Sequence, residues 1–206
     1  MAVITISRQS GSEGSEVARL TAAQTGYRVL NKALINQLAQ QQGWDPNSYQ
    51  NLKEDSFMDK TMLEKALQKF QSSAVVSGGY AASYTQKSEL DAGFLKQLIQ
   101  AAYELGNIII VGRGAQVALA GKPNVLHVRI IASEEKRLNT WQSREKISRS
   151  DARTLLRDRD QSHERFIREV YGADVNDLSW YDLVINTTRL TPATAAGLIV
   201  QAVARL

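Results

Sequence analysis

At 206 residues and 22.8 kDa the chain is long enough for one α/β domain with an insertion and short for two independent cores. Its 43% hydrophobic and 22% charged residues, with 13 glycines and three prolines, exclude collagen-like, low-complexity and largely disordered chains. No apolar run reaches the roughly 18 residues of a membrane span, and Met1 to Ser7 is a short β-type run without a basic leader, so the expectation is a cytoplasmic protein that folds alone. Absence of cysteine removes disulfides, thiolate catalysis and cysteine zinc sites together. His127 and His163 stand 36 positions apart, which argues against an imidazole metal site, so any metal would take oxygen ligands.

The first strand is read at Val3 to Ile6. A polar and glycine-containing loop follows to Ser15, and then an amphipathic helix with Val17, Leu20 and Ala23 ends at Gly26. Tyr27 to Leu30 reads as a second strand. Asn31 is the expected N-cap of a helix carrying Leu34, Ile35, Leu38 and Ala39. From Trp44 to about Ala101 the pattern is helical but looser and is read as an insertion, with the Ser77-Gly78-Gly79 cluster as a turn. Phe94, Leu95, Leu98, Ala101, Ala102 and Leu105 form a helical stripe closing at Gly106.

Ile108 to Val111, Val125 to Ile131 and Leu183 to Ile185 are apolar runs with little polar alternation, the signature of strands buried on both faces. Strands alternating with helices argue for a five-stranded parallel sheet. Ser133 with Glu134 and Glu135, then Ser148 with Asp151, predict two helix starts and hence a helical hairpin. Thr191 with Pro192 opens a last helix, with Ala195, Leu198, Ile199, Ala202 and Val203 facing the sheet.

The charge of +4 is local in origin. From Lys136 to Arg168 there are ten Lys/Arg against five Asp/Glu, a net +5 that leaves −1 for the rest of the chain. Eight of fifteen arginines lie in this stretch, a density suited to bidentate recognition of phosphate. Arg149, Arg153 and Arg157 repeat every four residues and fall near one helical face, where they could converge on a polyanion. The competing reading is a solvated surface with internal ion pairs. Nucleic acid is disfavoured because aromatic residues are sparse here and acids are intermixed.

Two segments place phosphate chemistry at strand ends. Ser7 to Ser15 joins the first strand to the first helix, where main-chain amides and a helix N-terminus can cradle an anion. In the Gly-x-x-x-x-Gly-Lys-Ser/Thr frame it runs from Arg8 to Ser15 and lacks the lysine. Gly112-Arg113-Gly114 follows the isoleucine strand and sets an arginine at the carboxyl edge of the sheet. His127 is read as a satisfied core imidazole, His163 as a surface helix residue, and Trp180 and Tyr181 as packing residues.

Ile4-Thr5-Ile6-Ser7-Arg8-Gln9, Ile110-Val111-Gly112-Arg113-Gly114-Ala115 and Tyr181 to Leu190, in this order and spacing, resemble the cytidylate kinase-like family of P-loop nucleoside monophosphate kinases. The resemblance implies a three-layer α/β P-loop kinase fold. Its core would be residues 1–43, 102–132 and 172–206, with a monophosphate-binding insertion over about 44–101 and an arginine-rich lid over about 133–171. It implies ATP and Mg²⁺ as cofactors and CMP or a similar monophosphate as acceptor. Gly11, Ser12, Gly14 and Ser15 would surround the donor phosphates, with Ser15 on the metal side and Arg8 as a cation at the same loop. Arg113 and Asn31 would face the acceptor. Arg157, Arg165 and also Arg153 or Arg168 would close over the transferring group, with Asp160 orienting lid arginines.

The chain departs from the family pattern at Glu13, where glycine is usual, and at Ser15, where arginine is usual. It departs again at Asn31, where aspartate is frequent, and at His163, where arginine is common. A catalytically weak nucleotide-binding module is therefore the alternative to an active kinase.

Overall fold

The computed structural model describes residues 1–30 and 84–206. Asn31, the helix expected to carry Leu34 to Ala39 and residues 44–83 of the insertion expected over about 44–101 lie outside the described residues, whereas residues 84–101 of that expected insertion belong to a helix whose Leu95, Leu98 and Ile99 pack on the sheet. In chain order the elements are β1 (Val3–Arg8), α1 (Gly14–Thr25), β2 (Arg28–Leu30), α2 (Tyr84–Leu105), β3 (Ile108–Val111), a short α3 (Ala115–Ala118) and β4 (Val125–Ile131). They continue with α4 (Glu134–Glu145), α5 (Arg149–Tyr171), a 3₁₀ turn (Leu178–Trp180), β5 (Leu183–Asn186) and α6 (Pro192–Val203).

The five strands form one parallel sheet in the order β2-β3-β1-β4-β5. On one face Val3, Ile108, Ile110 and Val125 pack against Leu95, Leu98, Ile99 and Ala102 of α2. On the other, Ile4, Ile6, Ile109, Val128 and Ile130 meet Val17 and Ala18 of α1 and Ala195, Ile199 and Val203 of α6. Helices on both faces explain why β3 is buried throughout and reads as unbroken isoleucine and valine.

The expected caps are in place. Ser133, Ser148 and Thr191 each accept a hydrogen bond from the main-chain N–H three residues on. The α4–α5 hairpin closes around Leu138, Trp141, Ala152 and Leu156. Arg149 pairs with Glu135 and Arg153 with Glu134, at 2.5 and 3.1 Å. Two of the three arginines expected to converge on a polyanion are thus turned to the first-turn acids of the neighbouring helix. The Arg149 hydrogen bond holds the Glu135 carboxyl below its ordinary range, and Arg149 is raised in return.

At the amino half of the sheet, His127 Nδ1 lies 2.8 Å from Thr5 Oγ1, and the His127 main-chain N–H donates to Asp182 Oδ2 at 2.7 Å. Burial pushes the imidazole pKa down, against a smaller opposing pull from Asp182. The imidazole has a hydrogen-bond partner, as expected, but it is half-buried and not the fully buried core residue expected from strand position. Functional chemistry belongs at the other, carboxyl edge, where β1, β3 and β4 all end.

Candidate active site

The loop after β1 is fixed largely by its own side chains and those of α4. Ser12 is fully buried, and its hydroxyl donates to the carbonyls of Gln9 (2.8 Å) and Ile130 (3.3 Å). Thr187 Oγ1, at the end of β5, donates to the Ser12 carbonyl at 2.8 Å. The Ser12 hydroxyl therefore braces the loop and does not face outward.

Ser10 and Gly11 abut α4. Trp141 Nε1 donates to Ser10 Oγ at 3.1 Å, and Arg137 Nη1 donates to the Ser10 carbonyl at 3.3 Å. A methyl at Gly11 would come within 2.8 Å of the Arg137 carbonyl and 3.0 Å of Trp141 Cδ1, so α4 can approach this closely only over glycine. Trp141 is 1% exposed, with the Arg159 guanidinium 4.2 Å above its ring.

Arg137 Nη1 also reaches Asp160 Oδ2 at 2.7 Å. Asp160 thus holds an arginine of α4, Arg137. Sequence reasoning missed Arg137 and Trp141 as loop contacts. The available signal was their i, i+4 spacing, which puts both on one side of α4.

Glu13 adopts a left-handed conformation (φ 61°) just ahead of α1, and its carboxylate lies 2.9 Å from Lys136 Nζ. The acid that departs from the family pattern is therefore matched by a cation of α4. Ser15 sits half-buried in the first turn of α1.

The cation and the glycine of the usual phosphate-loop frame have changed places. Arg8 stands where that frame begins with glycine, and Gly14 stands where it has lysine. A methyl at Gly14 would lie 2.5 Å from Arg8 Cβ, and one at Gly112 would collide with Arg8 Nη1. The Arg8 side chain consequently runs from the first loop to the turn after β3, through space left by two missing side chains.

That turn is left-handed at three consecutive residues, with φ of 74°, 58° and 70° at Gly112, Arg113 and Gly114. For Arg113 this conformation costs on the order of 1–2 kcal/mol relative to right-handed backbone. It is held by Tyr171, whose hydroxyl donates to the Arg113 carbonyl at 2.7 Å, and by Phe166, whose ring lies 5.6 Å from the Arg113 guanidinium carbon. Arg113 is only 6% exposed, and Phe166 and Tyr171 come from the last turns of α5. Backbone strain of this kind clusters at ligand-binding and active-site positions.

The remaining candidate residues of α5 are placed differently. Arg157, Arg165 and Arg168 are exposed on α5, and His163 is half-buried on the side shared with Leu156 and Ile167. In this conformation Arg157 and Arg165 make no ion pair among the described residues. Trp180 packs at the edge of a cluster with Ile167, Ala173 and Val175. Tyr181 does more than pack, since its hydroxyl donates to the Val175 carbonyl at 2.8 Å and accepts from the buried Arg129 at 3.3 Å.

A family model described as the cytidylate kinase-like family matches residues 3–189. The chain belongs to that family. A cytidylate kinase of Thermoplasma acidophilum is 36% identical over 91 residues, a stretch covering 44% of this chain and 48% of that relative. A cytidylate kinase of Pyrococcus abyssi is 26% identical over 208 residues, covering 99% of this chain and 94% of the relative.

Among solved structures, an uncharacterized protein from Eubacterium ventriosum aligns over 100% of both chains with a TM-score of 0.68 at 18% identity. Shikimate kinase from Bacteroides thetaiotaomicron aligns over 100% of this chain and 99% of that one, with a TM-score of 0.52 at 10% identity. These likenesses show the fold, which is that of the P-loop kinases. Membership of the cytidylate kinase-like family, on a kinase fold, supports nucleotide kinase activity. No helix among the described residues is long and apolar enough to cross a membrane.

Proposed function

We propose that the chain transfers the γ-phosphoryl group of ATP to a pyrimidine nucleoside monophosphate, with CMP as the acceptor. An oxygen of the acceptor phosphate attacks the γ-phosphorus, the bond to the β,γ-bridging oxygen breaks, and ADP leaves with the negative charge. Such transfers need positioning and charge neutralisation more than covalent help. The observation that carries the reading is the path of Arg8, whose guanidinium reaches the turn that holds Arg113 and so brings cations of two strand ends to one rim.

In this reading the main chain of Gly11, Ser12 and Gly14, with the start of α1, receives the donor phosphates. Arg8 supplies the charge that a lysine usually gives. Arg113 holds the acceptor phosphate, with Asn31 on the acceptor side, and Arg157 and Arg165 swing over the reacting group on closure of α5. Asp160 keeps Arg137 against the Ser10 carbonyl and so steadies the donor loop.

Among the described residues there is no group of three acidic or histidine side chains for a metal. A metal at this rim would take its ligands mainly from phosphate and water, which is the habit of Mg²⁺, with Ser15 as the protein hydroxyl. When bound, Mg²⁺ supplies charge neutralisation across the β- and γ-phosphates.

The second reading is a nucleotide-binding module of low turnover, motivated by Glu13 at the loop, although Lys136 offsets that acid. A coupled assay with ATP, Mg²⁺ and each of CMP, dCMP, UMP and AMP separates the two. Turnover fastest with a cytidine acceptor is expected, whereas nucleotide binding with no turnover on any acceptor would replace the kinase by the binding module.

A further inference from the structure

Arg129 on β4 is the most deeply buried cation of the described residues, at 4% exposure. Its Nη1 donates to Ser7 Oγ at 2.8 Å and to the Tyr181 hydroxyl at 3.3 Å, its Nη2 donates to Asn176 Oδ1 at 3.0 Å, and its guanidinium carbon lies 5.4 Å from the Tyr181 ring centre. All of these partners are neutral. Glu164 is reached only through Asn176, whose Nδ2 donates to it at 3.1 Å, and no carboxylate pairs with Arg129 among the described residues.

A charge taken out of water is costly unless an opposite charge compensates it, and hydrogen bonds to neutral groups recover only part of that cost. The fold nevertheless keeps this cation where β1 and β4 approach the carboxyl edge. Ser7 pairs in register with Arg129 and directly precedes Arg8, the last residue of β1. One strand step is about 3.3 Å. The guanidinium is therefore hung just beneath the rim, in a medium that screens its field far less than water does.

We propose that Arg129 is a positioning residue whose positive charge is balanced by the phosphate groups bound at the rim, so that the anion, and not a protein carboxylate, is its counter-charge. This rests on the phosphate-binding part of the proposed function and adds to it a cation that touches no ligand. The same residue donates to Ser7 beneath the first loop and to Asn176 beyond α5.

The test uses the full chain and inorganic tripolyphosphate as the probe, with affinity measured by calorimetry and ligand-free stability by thermal melting. Arg129→Met removes the charge but keeps an unbranched apolar stem, and Arg129→Lys keeps the charge but not the forked hydrogen bonds. Arg129→Met is expected to bind tripolyphosphate at least tenfold more weakly, and to melt, without ligand, within a few degrees of the parent or above it. Arg129→Lys is expected to stay within about threefold of the parent.

Equal binding by Arg129→Met and the parent would overturn the inference while leaving the rim itself intact. Equal losses in both variants would overturn it too, because geometry and not charge would then be the cause. An Arg129→Met chain that does not fold would show that the cation serves the fold, which overturns the inference as well. A parent chain that does not bind tripolyphosphate would remove both this inference and the phosphate rim beneath it.

Discussion

The two loops at the carboxyl edge of the sheet are built in opposite ways. The loop after β1 presents main chain, since Ser12 is turned inward, Ser10 is held by Trp141 and Arg137, and Glu13 is paired with Lys136. The turn after β3 instead positions a charged side chain, with Arg113 held in left-handed backbone by Tyr171 and Phe166. One loop is shaped by what packs behind it and the other by strain imposed on a single residue. The first should therefore fail through stability and the second through chemistry.

The largest expected effect is on the first loop. Trp141→Ala removes a fully buried indole and should cost about 3–5 kcal/mol of stability, read by denaturant unfolding. Trp141→Phe, which retains most of the packing and loses the hydrogen bond to Ser10, should cost about 1 kcal/mol. If the alanine variant is as stable as the parent, the loop is not held from behind and the contrast disappears.

The turn after β3 should show the converse. Arg113→Gly deletes the cation while relaxing the left-handed backbone, so the melting temperature should change little. Activity is expected to fall by about 10²–10³-fold in kcat/KM, the loss typical of one fixed donor to a developing charge. A collapse in stability with unchanged turnover of the folded fraction would reverse the assignment.

The smallest effect belongs to the far end of the sheet, which serves as the control. His127 has its pKa lowered by burial, so the folded state favours neutral imidazole. Its contribution to stability is present above the unfolded value of about 6.5 and is lost as pH falls from there toward the lower folded value, at no more than about 1.4 kcal/mol per unit. His127→Gln should flatten that slope in melts between pH 7.5 and 5.5 without altering nucleotide binding. A matching shift in binding would mean that the two ends of the sheet are not independent.

Much of the scaffold was legible in the chain. The bounds of β3 and β4 follow from apolar runs that only a doubly covered sheet can bury, and the starts of α4, α5 and α6 follow from Ser133, Ser148 and Thr191. Arg113 was legible as a strand-end cation because a parallel sheet gathers its carboxyl ends, whereas Arg8 was legible only through the family resemblance. What was hidden depended on which element lies across from which. Helical periodicity gives the direction of Arg149 and Arg153 on α5 but not the acids of α4 opposite them. Arg129 and Ser7 are 122 positions apart and meet only through the β1–β4 register. Arg137 and Trp141 looked like part of a basic surface because nothing local records that a glycine loop would press against them.

The exchange of arginine and glycine between positions 8 and 14 also limits how this protein can be re-engineered. Grafting a lysine at Gly14 alone would drive its Cβ into the stem of Arg8, so the familiar loop cannot be restored by a single replacement. Clearing position 8 at the same time would withdraw the guanidinium from Gly112. Two routes to the same charge are thus mutually exclusive in this backbone, and a lineage passing from one to the other must cross a sequence that either clashes or lacks the cation.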